Sequence, residues 1–118
     1  MPNLDRTLLV WTLFFITTVY GHIGLKIAMH GAHPENYSAQ LVSFWGISSF
    51  LSWVISGLIW AAILSDQSLT HANAISALRY VLIALAAYLF LSEKVDIFTL
   101  IGSGLIVSGI YLIAYAQT

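Results

Sequence analysis

The sequence predicts an all-α integral membrane protein: four transmembrane helices in a compact antiparallel bundle. Three observations carry that expectation. The chain is 59% hydrophobic and only 8% charged, whereas a soluble domain needs about 25% charged residues. Its mean hydropathy is +0.88. Its apolar stretches each approach the ~20 residues that a helix needs to cross ~30 Å of hydrocarbon. A segment alone in lipid must satisfy its own backbone polar groups, which favours helices over strands.

The first stretch runs from about Leu8 to Met29. HGAHPENYSAQ then reads as a loop, with Pro34, Glu35 and Asn36 as breakers. The second runs from about Leu41 to Leu64, followed by the short polar link SDQSLTHAN. The third runs from about Ala72 to Ser92, and Glu93, Lys94, Val95 and Asp96 form a tight turn. The fourth covers Ile97 to Ala116. Short links make neighbours antiparallel, and residues 1–118 read as one four-helix domain.

Composition excludes several functions. With no cysteine there is neither a disulfide framework nor a thiolate metal site. A net charge of −1 argues against nucleic acid, which needs clustered Lys and Arg. His30, His33 and His71 are scattered and lack acidic company, so no metal is expected. No phosphate-binding glycine loop, nucleophile elbow or His-Glu metal helix is present, so neither an enzyme nor a cofactor is expected. Asp5 before Arg6, with no small-residue cleavage site after the apolar run, makes a poor signal peptide and reads as a retained helix. Arg6 stands on one side of the membrane, and Lys26 and Lys94 on the other. This mildly favours both termini outside the cytoplasm and leaves room for either orientation.

Few residues can carry chemistry. Arg79, in ISALRYVLIALAAYLF, falls about seven residues into the third helix, at a depth of ~10 Å. An ionised group there usually faces the bundle interior or a watery cavity. Arginine suits phosphate or carboxylate; the structural alternative is snorkelling to the headgroups. Tyr80 adjoins it. YGHIGLKIAMHGAH, at the end of the first helix, places His22 and Lys26 four residues apart on one face, with no acid beside them. Lys26 either helps bind an anion or satisfies its own helix end. All five acids, Asp5, Glu35, Asp66, Glu93 and Asp96, lie outside or at the rim of the apolar segments. No intramembrane carboxylate is therefore available for a proton relay. In the second helix Trp45, Trp53 and Trp60 share a face, with Ser49, Ser52 and Ser56 nearby. They read as packing or as a groove for an amphipathic substrate, packing being the commoner use. Small residues at Gly21 and Gly24, and at Gly102, Gly104, Ser108 and Gly109, mark close helix contacts within the unit or between two units.

LTHANAISALRYVLIALAAYLFLSEKVDIFTLIGSGLIVSGIYLI resembles the drug/metabolite transporter superfamily. Glu93-Lys94, Ile101-Gly102 and Gly109-Ile110 fit its Glu-Lys turn and the glycines of its fourth helix. GHIGLKIA is similar to its Gly-Gln-x-x-x-Lys stretch, with His22 for Gln and Lys26 matched. The resemblance covers all four helices, most firmly Leu69 to Ile113. In the small multidrug resistance branch the last-helix glycines join two subunits, but its essential glutamate would fall near Thr18 and is absent. In the half-size EamA-like branch, which includes subunits proposed to flip aminoarabinose-phosphoundecaprenol, Lys26 and Glu93 match. The proline expected before the third helix is replaced by Gln67-Ser68, and Ala-Tyr-Pro by Ala72-Asn73-Ala74.

The resemblance implies a small transporter or flippase subunit in the bacterial inner membrane, among membrane lipid. It would act as a homodimer or as a heterodimer with a similar half. The expected substrate is an amphipathic anion or zwitterion, such as a polyprenyl-phosphate-linked sugar. Arg79, Lys26, His22, Tyr80, Trp53 and Ser49 would contact it, and Glu93 would pair with Lys26. Two alternatives are an accessory subunit of a larger membrane complex and a small multidrug efflux transporter.

Overall fold

The computed structural model describes residues 4–116. Those residues form helices and no strand: α1 (Leu4–Ala28), a 3₁₀ turn (Pro34–Asn36), α2 (Tyr37–Leu41), α3 (Phe44–Asp66), α4 (Leu69–Ser76), α5 (Leu78–Leu91) and α6 (Ile97–Ala116). Asp5–Ala28, Phe44–Asp66, Leu69–Leu91 and Ile97–Ala116 are each long and apolar enough to cross a membrane. The chain is therefore a multi-pass membrane protein. It divides after Trp60 into two compact units, and α3 contributes to both.

Local chemistry sets the boundaries that hydropathy blurs. HGAHPENYSAQ is not a plain loop: Asn36 closes the 3₁₀ turn by accepting from the His33 N–H at 2.8 Å, and α2 follows. The second span starts at Phe44 rather than Leu41. Ser43 ends α2 and begins α3, donating to the Gln40 carbonyl at 2.6 Å and accepting from the Gly46 N–H at 3.3 Å. Such side chains satisfy backbone groups that a helix end leaves open. The third span starts at Leu69 because the Ser68 side chain accepts from the His71 N–H at 3.2 Å.

In the first unit α1 and α3 pack antiparallel. Partners pair in descending order: Trp11 with Trp60, Thr18 with Ser56, Tyr20 with Ser48. At one end Trp60 meets Trp11 and Phe14, with ring centroids 6.5 and 5.4 Å apart. In the middle the Thr18 and Ser56 hydroxyls share a bond of 2.5 Å, and the Ser52 hydroxyl donates to the Thr17 carbonyl at 2.7 Å. Small residues and interhelical hydroxyl bonds are what hold helices together where lipid supplies no hydrophobic drive.

Two glycines let the helices approach. A Cβ on Gly21 would overlap the Trp53 indole, and one on Gly24 would overlap the Ser49 hydroxyl. Both glycines are buried.

In the second unit α6 packs beside α4 and α5. The link before α6 is short. Ser92 takes the left-handed conformation at φ 57° and ends α5, and the Glu93 N–H donates to the Ala87 carbonyl at 3.2 Å. Asp96 then opens α6, accepting from the Thr99 N–H at 2.9 Å and the Thr99 hydroxyl at 3.0 Å. Those two bonds, the backbone one first, hold the Asp96 carboxyl below its ordinary value of 3.8.

Candidate functional site

The third span is not one regular helix. Ala77 separates α4 from α5, with φ −62° and ψ −19°. Those angles belong to a 3₁₀ turn. The Ala77 N–H is shared between the Asn73 and Ala74 carbonyls, both at 3.2 Å. The Tyr80 N–H donates back three residues to the Ala77 carbonyl at 3.1 Å, not four residues to Ser76.

Arg79 sits directly after this turn. Ten residues separate it from the start of the helical stretch at Leu69, ~15 Å along the axis. The helix begins three residues before the apolar run because Ser68 caps it, so the depth counted from the apolar run stays at ~10 Å. An ionised group within a span ordinarily faces the bundle interior or a watery cavity. Its guanidinium is held by neutral groups. Nη1 donates to the Ser76 carbonyl at 3.4 Å and to the Ser76 hydroxyl at 3.2 Å, and Nη2 donates to the Tyr80 hydroxyl at 3.3 Å. The guanidinium carbon lies 4.8 Å from the Tyr80 ring centroid, within cation–π range. No carboxylate partners it among the described residues.

Bonds from arginine to anionic oxygen are ordinarily ~2.7–2.9 Å. The bonds here are longer and go to neutral oxygens. Ser76, itself 1% exposed, is the partner that sequence reading missed. Its signal was present: a hydroxyl three residues before an intramembrane arginine, on the same face.

The other sequence-derived residues are distributed as follows. His22 lies edge-on to Trp53, with ring centroids 5.2 Å apart, so these two are brought together. Lys26 is exposed in the last turn of α1, where a cation complements the helix dipole. Ser49 is wholly buried, its hydroxyl donating to the Trp45 carbonyl at 2.7 Å. With Ser52 and Ser56, also buried, it fills the seam against α1. Thr18, where a multidrug-type glutamate would fall, lies in that same seam, bonded to Ser56.

Glu93 is exposed in the second unit, while Lys26 belongs to the first. The two small-residue groups differ: Gly21 and Gly24 face α3 side chains, whereas nothing lies within 4 Å of a Cβ placed on Gly102, Gly104 or Gly109. Gln67 Oε1 and His71 Nδ1, beside the Ser68 cap, are buried polar atoms without a partner among the described residues.

These features define a multi-pass, all-α membrane protein with an arginine well inside one span and, among the described spans, carboxylates only at the ends, Asp5 and Asp66. The EamA-like transporter family matches the chain over residues 4–115. The chain belongs to that family, within the drug/metabolite transporter superfamily, whose members are transporters rather than enzymes. No curated protein and no solved structure matches it.

Proposed function

We propose that this chain is a transport or flippase subunit for an amphipathic anionic or zwitterionic substrate, a polyprenyl-phosphate-linked sugar being the type that fits. One observation carries the reading: a mid-span arginine whose partners are all neutral and whose bonds are long. Such a group is costly in lipid unless a ligand or cavity answers its charge. Arg79 clamps the phosphate, and Tyr80 holds the guanidinium in place. Lys26 is a second cation suited to an anionic headgroup near the membrane surface. His22 and Trp53 line the path of the apolar part. Ser49 supports that wall from behind.

The working form is a dimer, with itself or with a similar half, in the bacterial inner membrane. No residue of α6 is buried, and its glycines face open space, which supports a partner on that face.

The test is flipping of a polyprenyl-phosphate-linked sugar in proteoliposomes. Arg79→Ala is expected to weaken binding roughly ten- to hundredfold, from the ~1.5–3 kcal/mol of a charged hydrogen bond, and to abolish flipping with expression intact. Equal transport by that variant removes the phosphate clamp. Intact-mass measurement of the natively purified particle addresses the partner: two small chains support the dimer, and a large fixed assembly favours an accessory role.

A further inference from the structure

We propose that the 3₁₀ turn at Ala77 is a two-position switch thrown by Arg79. With the guanidinium on Ser76 the third span is interrupted. When an anion draws the guanidinium away, the span closes into one continuous α-helix. The trigger rests on the anion-binding reading above; the two positions rest on backbone geometry alone.

The geometry turns on one carbonyl. In an α-helix the Tyr80 N–H would donate to Ser76 O. Here it donates to Ala77 O at 3.1 Å instead, which releases the Ser76 carbonyl at a residue 1% exposed. A carbonyl left open inside a span is costly, so another donor must answer it. That donor is Arg79 Nη1, at 3.4 Å. The guanidinium thus answers this oxygen while the Tyr80 N–H is turned to Ala77, and it is needed less once the Tyr80 N–H returns.

Each position is complete in its own terms. In the first, Arg79 caps Ser76, and its charge is soothed by the Tyr80 hydroxyl and ring. In the second, Tyr80 N–H caps Ser76, and the guanidinium is free to hold an oxyanion with shorter, charge-assisted bonds. The bonds of 3.2–3.4 Å in the first position are weak enough for such a ligand to displace. The Ser76 hydroxyl does not block the exchange, because it is anchored independently on the Asn73 carbonyl at 2.8 Å.

The exchange has a mechanical output. A 3₁₀ helix turns ~120° per residue and an α-helix ~100°. Closing the turn therefore rotates α5 against α4 by roughly 20° for every residue converted. A mid-helix 3₁₀ segment often marks a hinge, and interrupted helices near the bilayer midplane are where transporters commonly hold substrate. Occupancy of Arg79 is thereby linked to which faces of α5 are presented.

The test is solid-state NMR of the full chain in lipid bilayers, reading the Ala77 backbone torsion with and without a polyprenyl monophosphate. In the free protein ψ is expected near −19°. Saturation with the lipid phosphate is expected to move it to about −42°, the α-helical value. Arg79→Leu, which removes the donor but suits a membrane helix, is expected to show the α-helical value without ligand. Tyr80→Phe keeps the backbone N–H and loosens the guanidinium, so it is expected to shift part of the population.

An Ala77 torsion unchanged in Arg79→Leu overturns the switch. So does a wild-type chain that binds the lipid phosphate through Arg79 with no change at Ala77, an outcome that leaves the phosphate clamp standing. If Arg79→Leu closes the turn while the lipid phosphate has no effect on the wild type, the switch stands and the anion reading fails.

Discussion

The two halves of the molecule meet the membrane differently. In the first two spans 28% and 22% of the most apolar stretch is buried within the chain, against 11% and none in the last two. The first half is sewn by hydroxyls, aromatic rings and two glycines. The second half holds the intramembrane charge and a backbone irregularity, and leaves its last helix bare. Transport proteins need both a fixed part and a part free to move or to find a partner, and here the two properties fall in different stretches of sequence.

Leucine at Gly21 or Gly24 offers the strongest test of that contrast. Both positions face occupied space, so overpacking is expected to cost ~1–3 kcal/mol, read as loss of helicity at lower concentrations of a denaturing detergent. The same change at Gly104, where nothing lies within 4 Å, is expected to stay within about 0.5 kcal/mol in the isolated chain. Equal losses at both places would erase the distinction. Ser92→Gly comes next. It relieves a left-handed serine at φ 57° and is expected to stabilise the second half by about 1 kcal/mol.

Smaller is the coupling between Thr18 and Ser56, taken from a double-mutant cycle of Thr18→Val and Ser56→Ala. It is expected near 0.6 kcal/mol, the usual size for hydrogen bonds in lipid. A coupling of zero would make the seam a matter of shape alone. The smallest effect belongs to Asp96. Its carboxyl is held below 3.8 in the folded chain, so its contribution is fully present above that value. It is lost as pH falls through the lower folded pKa. Asp96→Asn is expected to flatten the acid limb of a stability–pH curve and leave neutral pH almost unchanged.

Much of this architecture was legible in the residues. Four apolar runs separated by polar links gave the four spans, and the fourth, from Ile97 to Ala116, ends where hydropathy ends. The misplaced boundaries have one cause. Hydropathy marks where lipid begins, while Ser43 and Ser68 decide where a helix begins, and a serine barely moves a window average. α1 is already helical at Leu4, ahead of the apolar run, where Asp5 in the first turn complements the helix dipole and Arg6 is a good helix former. Arg79 stood out as a lone cation in an apolar run. Its dependence on Ser76 did not, because the link passes through a backbone carbonyl that one bond, Tyr80 N–H to Ala77, had vacated. The serine row in α3 could be read as groove or as packing, and only its partners on α1 show which hydroxyls are covered.

The seam between α1 and α3 also has a consequence in time. Every partner in it lies between Trp11 and Trp60. The chain emerges N-terminus first at about 5–20 residues per second. The first hairpin therefore has all its fastenings within reach while the residues after Trp60 are still being synthesised, a head start of a few seconds. The half that carries the arginine is thus synthesised only after every residue of that seam.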